Sequence, residues 1–195
     1  ETFLELHTEW GALNLDSNDQ LFKEARKVFG DVLSPELHVP SLLPEIEAYV
    51  DDLADRVAKA GPEEAFYLVP ELVRWSLDVF AKSFTGKGLT DEQAQAFIDY
   101  NAGLVALSNK TKTYKKALAA LESLKAEMLE RFHALADAPE DAPGKWYYHQ
   151  LANRENFGDD RIASGIVLFI WGAYIEVASL MANAMTSDRK STRLN

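Results

Sequence analysis

The chain contains no cysteine. It therefore cannot by itself form a disulfide, bind zinc or an iron–sulfur cluster through thiolates, or use a cysteine nucleophile. No metal ligand set is predicted within the chain. The first ten residues, ETFLELHTEW, also lack the basic start and apolar centre of a signal peptide. The localisation is left undetermined between cytoplasmic and membrane-associated.

Positive charge is also scarce. The 20 Lys and Arg residues are outnumbered by 31 Asp and Glu residues, which gives a formal net charge of -11. Binding to a phosphate backbone needs a surplus of Lys and Arg on one face. We therefore expect no nucleic acid partner. A small basic cluster at Lys110, Lys112, Lys115 and Lys116 is interpreted as the solvated start of a helix.

Glycine and proline are sparse, and no alternating run of β-branched residues predicts a strand. Apolar residues recur instead at helical spacing, so the sequence predicts an all-α chain of about seven helices. Asp16, Ser17 or Asn18 is expected to cap the first helix, and Gly30 to end it. Thr90 is expected to cap the fourth helix, and Thr111 or Thr113 to open the fifth. The predicted helices cover about 19–29, 43–59, 65–84, 90–107, 111–136, 146–152 and 162–185.

The most apolar segment is the predicted helix 162–185, which holds one charged residue, Glu176. At about 1.5 Å per residue it is long enough to cross a bilayer. It also contains small residues, including Gly172 and Ala173, and a helix that is apolar all round is typical of the centre of a helical domain. A carboxylate buried in a core is expected to be paired, protonated or functional, which makes Glu176 a candidate site residue.

The first half of the chain resembles the C-helix and D-helix region of the cytochromes P450. The resemblance rests on LNLDSNDQLFKEARKVFGDVLSPE (13–36) and LLPEIEAYVDDL (42–53). In that family a Trp or His, followed four residues later by Arg, binds a haem propionate. The corresponding residues here are Phe22 and Arg26. Arg26 keeps the guanidinium of the family's motif, whereas Phe22 replaces its polar Trp or His.

The later segments are similar to further helices of that family, in the same order. LVRWSLDVFAKSFTGKG (72–88) resembles the E helix, 91–107 and 112–136 the F and G helices, and 157–185 the I helix. The family's I helix carries Ala/Gly-Gly-x-Asp/Glu-Thr, which manages proton delivery to bound oxygen. In one register Gly172 and Ala173 take the small-residue slots, Ile175 the acid slot and Glu176 the threonine slot. A shift by one residue places Gly172 in the glycine slot, Tyr174 in the acid slot and Ile175 in the threonine slot.

The resemblance implies that residues 1–187 are a partial cytochrome P450 domain, the central helices of an incomplete fold. The parent protein is expected to be a haem-thiolate oxidoreductase of monooxygenase type, with a small hydrophobic substrate and a redox partner. Phe22, Arg26, Gly172 and Ala173 would contact haem, and Glu176 would be catalytic. The fragment itself is predicted to be inactive, because it has no cysteine to ligate iron. Residues 188–195 are predicted to be a non-native tail, since KSTRLN resembles translated adapter sequence.

Two alternatives follow from the same residues. The first alternative is a peroxide isomerase or lyase, because haem-thiolate relatives that rearrange peroxides also lack the usual acid and threonine. The second alternative is a non-catalytic helical binding protein, which its last apolar helix could anchor to a membrane. The family's Glu-x-x-Arg signature is spelled by Glu71 and Arg74, but in the wrong place, so we interpret it as a coincidence.

Two other motifs are weaker. Glu130 and His133 have the spacing of half a di-iron site, which needs a second Glu-x-x-His that the sequence lacks. This pair is interpreted as solvated. Tyr147, Tyr148 and His149 are expected to pack rather than to catalyse.

Overall fold

Every regular element in the described part of the chain is helical. The computed structural model describes residues 20–32, 34–60, 67–106, 108–154 and 157–191. Their α-helices are α1 (Gln20–Val32), α2 (Pro35–Ala60), α3 (Leu68–Thr85), α4 (Asp91–Leu104), α5 (Lys112–Ala134), α6 (Lys145–Leu151) and α7 (Asp159–Ser191), with a 3₁₀ turn at Leu135–Asp137. The all-α prediction is confirmed for these residues.

Two helix starts follow from their caps. The Thr90 side chain accepts a hydrogen bond from the Gln93 backbone N–H, and the Gln93 side chain accepts one from Thr90 N–H, which completes a capping box at the start of α4. The Thr111 hydroxyl accepts a hydrogen bond from Tyr114 N–H at the start of α5. Both caps were predicted. The predicted cap of α1 at residues 16–18 lies outside the described residues.

Two predicted helix boundaries were wrong. Gly30 does not end α1, which continues to Val32. A single glycine costs a helix only about 1 kcal/mol, so it weakens the helix without breaking it. The helix α2 starts at Pro35, well before the predicted start at 43, and includes Pro40 and Pro44 in its interior. Each proline removes one backbone donor, and both rings are exposed.

The core lies where α7 packs against α3 and α5, with α4 alongside α5. An aromatic cluster joins these helices. Phe84 stacks on Phe169 at 5.3 Å between ring centroids and meets the edge of Tyr147 at 5.1 Å. Phe132 approaches Tyr147 at 6.0 Å. Tyr147 is therefore a packing residue, as expected from the sequence.

A buried lysine closes the end of α5. Lys145 is only 4% exposed, and its ammonium donates to the carbonyl oxygens of Leu135 and Ala136, each at 2.9 Å. The last carbonyls of a helix have no intrahelical donor, and a cation there also opposes the negative end of the helix dipole. Lys145 thus gives the Ala136 carbonyl a donor and the Leu135 carbonyl a second one, beside the Ala138 backbone N–H at 3.2 Å.

Two glycines with positive φ form one junction between α3 and α6. Gly86 ends α3 with φ 77°, and Gly144 precedes α6 with φ 83°. A Cβ on Gly144 would lie 2.9 Å from Gly86 N, and a Cβ on Gly86 would lie 2.9 Å from Pro143 O. The two backbones therefore cross at a distance that only glycine permits.

Replacing Tyr147 with phenylalanine should leave the free energy of unfolding unchanged or raise it by about 1 kcal/mol. The Tyr147 hydroxyl is buried and has no hydrogen-bond partner among the described residues. Burial also raises the pKa of Tyr147, so the group stays neutral. Urea unfolding followed by circular dichroism measures the change.

Ser76→Ala is the matched control for that substitution. The Ser76 hydroxyl is also buried, but it donates to Leu72 O at 2.7 Å. Its removal should cost about 1 kcal/mol. If Tyr147→Phe costs as much as Ser76→Ala, the Tyr147 hydroxyl has a bonding partner after all.

Candidate functional site

The helix α7 has two halves with different surroundings. From Ile162 to Ile170 it is largely buried in the bundle. Beyond Trp171 burial alternates: Tyr174 and Ala178 face the core, whereas Glu176 and Leu180 are exposed. One candidate membrane span, Asp159–Ala184, meets the tests of length and hydropathy, with 39% of its most apolar window buried in the bundle. Its first half acts as a core helix.

The boundary between the halves is fixed by α4. The Trp171 indole Nε1 donates to Asn101 Oδ1 at 3.1 Å, and its ring lies 6.1 Å from that of Tyr100. Burial raises the pKa of Tyr174 to about 12 and also raises the pKa of Tyr100. Both phenols therefore stay neutral near pH 7. They hold α7 in place and offer no base.

Gly172, Ala173 and Glu176 lie close together on the outer half of α7. Gly172 and Glu176 are one turn apart and thus share a face. A Cβ built on Gly172 meets nothing within 4 Å, so this face is open among the described residues. Glu176 is exposed. The carboxylate therefore carries no burial cost, and the premise that it lies in a core is corrected. Its catalytic role stays a prediction.

Arg26 stands apart from this group. It is exposed on α1 and forms no hydrogen bond or ion pair with any side chain that the structure describes. Phe22 lies in α1, but its side chain is outside the described residues. An ion pair between Asp31 and Arg154, at 2.8 Å, holds α1 to the segment after α6. No hydrogen bond between described residues joins Arg26 to α7.

A separate cleft lies between α2 and α3. It encloses about 520 Å³ and contains none of the predicted site residues. Tyr49 stacks on Trp75 there at 4.6 Å between ring centroids. Burial raises the pKa of Tyr49, and the carboxylate of Glu71 raises it further. Sequence reasoning missed this cleft because its two aromatic residues come from separate helices.

The charges in the cleft neutralise one another. Arg56 pairs with Glu71 and Lys82 with Glu45, each at 2.5 Å. Arg74 binds Asp78 at 2.8 Å and the Leu89 carbonyl at 2.6 Å. Glu71 and Arg74 are therefore bound to other partners, which agrees with reading their Glu-x-x-Arg as a coincidence. Their paired charges leave no net attraction for an ion.

The other motifs do not form a metal site. Among the described residues, no group of three or more His, Asp or Glu side chains could hold a metal ion. His133 Nε2 lies 3.2 Å from Asp159 Oδ1 at the start of α7, and Glu130 is exposed. This pairing links α5 to α7. His149 similarly lies 2.7 Å from Glu140, and the bond lowers the pKa of Glu140.

Comparison with solved structures gives a match for the whole set of helices. The structure of a cyanobacterial cytochrome P450, CYP120A1 with retinoic acid bound, superposes with a TM-score of 0.74 and 18% sequence identity. The match covers 99% of this chain and 46% of that chain. The chain has a cytochrome P450-like fold. Its helices correspond to an incomplete domain of that fold, and at this identity the likeness extends to the fold alone.

Comparison by sequence adds no relative. No protein-family model matches the chain. No curated protein matches it either. The P450-like fold predicted from the order of the helices is thus supported by the structure, while haem binding and activity remain outside what the likeness establishes. The division into residues 1–187 and a tail at 188–195 also stays a prediction. The backbone of α7 continues to Ser191.

Proposed function

We propose that this chain is the central helical part of a haem-thiolate oxidoreductase of the monooxygenase type. The observation that carries the proposal is the likeness to CYP120A1 along 99% of this chain. The chain spans 46% of that protein. The complete catalytic unit would therefore include polypeptide that these 195 residues do not contain.

In this proposal a haem would meet the chain at two places, α7 and α1. Gly172 and Ala173 leave an open face on α7, where a flat ring could approach the backbone. The exposed guanidinium of Arg26 has the geometry to bind a propionate with two hydrogen bonds. The chain supplies no axial thiolate. A haem held by a cysteine thiolate supplies an iron centre that favours cleavage of an O–O bond.

Glu176 is the side chain proposed to handle protons. It is exposed, and no described cation is paired with it. An exposed carboxylate can bind and release a proton as solvent demands, so it can serve as a relay. In the parent, a small hydrophobic substrate would lie on the open face of α7, and a redox partner would supply electrons.

Peroxide rearrangement is a second candidate. Ile175 takes the slot where the resemblance places an acid, and it is half-buried beside the core. A hydrocarbon side chain has no exchangeable proton to deliver. An enzyme that isomerises or cleaves a peroxide needs no electrons from a partner and less proton delivery than an enzyme that activates oxygen. For this second candidate function the haem site is the same, but the co-substrate is a peroxide instead of oxygen.

A tail-anchored, non-catalytic role is less well supported. Drawing α7 into a bilayer would remove Phe169 from its stack on Phe84 and empty the centre of the bundle. Association of a longer protein with a membrane surface remains compatible with this packing. A carbonate wash of membranes from cells expressing the chain distinguishes the two, because only an anchored protein stays in the pellet.

Absorption spectroscopy tests the proposed function. The proposed parent protein, which contains these helices, should have a thiolate-ligated haem, seen in the carbon monoxide difference spectrum after reduction. The chain of 195 residues should give no such band, because it has no cysteine. A longer protein without this band, or a short chain that shows it, contradicts the proposal.

In that longer protein, Glu176→Gln should reduce product formation about 100-fold if the carboxylate relays protons to bound oxygen. The haem spectrum should not change. Glu122→Gln, an exposed acid on α5, is the matched control and should have full activity. An enzyme that rearranges peroxides should tolerate both substitutions, so turnover with oxygen and with an organic peroxide separates the two candidates.

A further inference from the structure

An apolar seam runs along α2 at heptad spacing. Six apolar residues follow one another at alternating steps of four and three, which keeps them on one side of a helix. Four of them are about half exposed: Val39 at 51%, Leu43 at 49%, Val50 at 49% and Val57 at 48%. The seam is completed by two partly buried residues, Ile46 and Leu53. From its first to its last residue it measures roughly 27 Å.

The neighbouring helix α3 does not cover this seam. α2 meets α3 through Glu45, Tyr49 and Arg56, which bind Lys82, Trp75 and Glu71. At 3.6 residues per turn, these three residues lie roughly 100° around α2 from the seam. The seam thus lies to one side of the contact with α3 and is not covered by it. A continuous row of half-exposed apolar side chains is more than the scattered exposure that single surface residues show.

The edge of the seam opposite α3 is acidic. Glu36, Glu47 and Asp51 are exposed along it, and none of the described side chains on that edge is basic. Two copies of α2 packed seam to seam would bring like charges together, and like charges beside a helix seam disfavour pairing. An anionic membrane surface would be repelled for the same reason. Only a partner with basic flanks complements both the apolar row and its edge.

We propose that the α2 seam docks an amphipathic helix with apolar residues at heptad spacing and Lys or Arg along its flank. The apolar row gives the attraction, and the acidic edge sets the direction and the register of the partner. This mode of recognition places a helix against an exposed apolar face. The inference depends only on α2 and does not require the haem site proposed above.

A synthetic peptide tests the proposal on the purified chain. The probe is a fluorescent helix of about three heptads with Leu at positions a and d and Lys at e and g. It should bind saturably in fluorescence anisotropy, and more weakly at high salt. The same peptide with Glu in place of Lys should bind at least about tenfold more weakly, because its charges face Glu47 and Asp51. Equal binding of the two peptides contradicts the proposal.

Substitutions locate the site. Val50→Asp and, independently, Val57→Asp should each weaken binding at least about tenfold, since a charge would be buried beneath the peptide. Ala48→Asp, on the opposite side of α2, is the matched control and should bind as the parent chain does. Circular dichroism confirms folding of each variant. The double change Glu47→Lys with Asp51→Lys should reverse the preference between the two peptides.

Three other outcomes would overturn the proposal. Binding that survives both valine substitutions places the peptide elsewhere. A dimer in sedimentation velocity that becomes a monomer with Val50→Asp makes the occupant a second copy of the chain. Binding to phosphatidylglycerol vesicles that Val50→Asp abolishes makes it a lipid surface.

Discussion

Replacing Phe84 with alanine should lower the free energy of unfolding of this chain by about 3–5 kcal/mol. Phe84 is 1% exposed and contacts Trp146, Tyr147 and Phe169 with ring centroids 5.1–5.7 Å away. Its ring therefore joins α3 to both α6 and α7. Truncation would remove these contacts and leave a cavity that the three helices cannot all close. Chemical denaturation in urea, followed by circular dichroism at helical wavelengths, measures the loss.

Ile98→Ala provides the control for this experiment. Ile98 is also a large apolar residue on a helix, but it is 41% exposed. Its truncation should cost less than about 1 kcal/mol, as is usual for surface positions. If the two substitutions cost the same, Phe84 does not lie at the centre of the core described above.

Gly144→Ala should destabilise the chain by about 2–4 kcal/mol, although it adds only one methyl group. The added Cβ would lie 2.9 Å from Gly86 N and 3.0 Å from the Phe84 carbonyl carbon and oxygen. These are backbone atoms and cannot rotate away. The φ of 83° adds a further cost, because a side chain is disfavoured in the left-handed region. The midpoint of thermal unfolding should fall accordingly.

Gly30→Ala is a control for which the expected change in stability has the opposite sign. Gly30 lies inside α1, and a Cβ there meets nothing within 4 Å. Alanine is the better helix former by about 0.5–1 kcal/mol, so this change should stabilise the chain or leave it unchanged. A Gly144→Ala variant as stable as Gly30→Ala would show that α3 and α6 do not meet as closely as described.

The sequence sufficed for features that depend on neighbours along the chain. The helix caps at Thr90 and Thr111 were predicted from residue type alone, because a cap bonds within its own first turn. The order of the helices was enough to indicate a P450-like fold. The apolar character of α7 on all sides also favoured a core helix over a membrane span. It could not show that burial on all sides of α7 ends near Trp171, since that depends on where α4 and its Asn101 lie.

Features that join distant segments were beyond the sequence. Nothing near Gly144 indicates that its backbone meets Gly86. The cleft between α2 and α3 depends on the stack of Tyr49 on Trp75, which no local pattern encodes. The start of α2 at Pro35, earlier than predicted, has a different cause. A proline in a helix costs about 3 kcal/mol, and the surrounding helix can offset that cost.

The division of α7 into a buried and an open half has a consequence for its motions. Backbone hydrogen bonds around Ile166 can open only when the packing against α3 and α5 is lost, so their amide protons should exchange with the rate of global unfolding. Those beyond Glu176 border solvent on one side and can open by fraying. One continuous helix therefore spans a gradient of local stability. The steepest part of that gradient falls at the turn that holds Gly172 and Glu176, the residues proposed to meet a ligand.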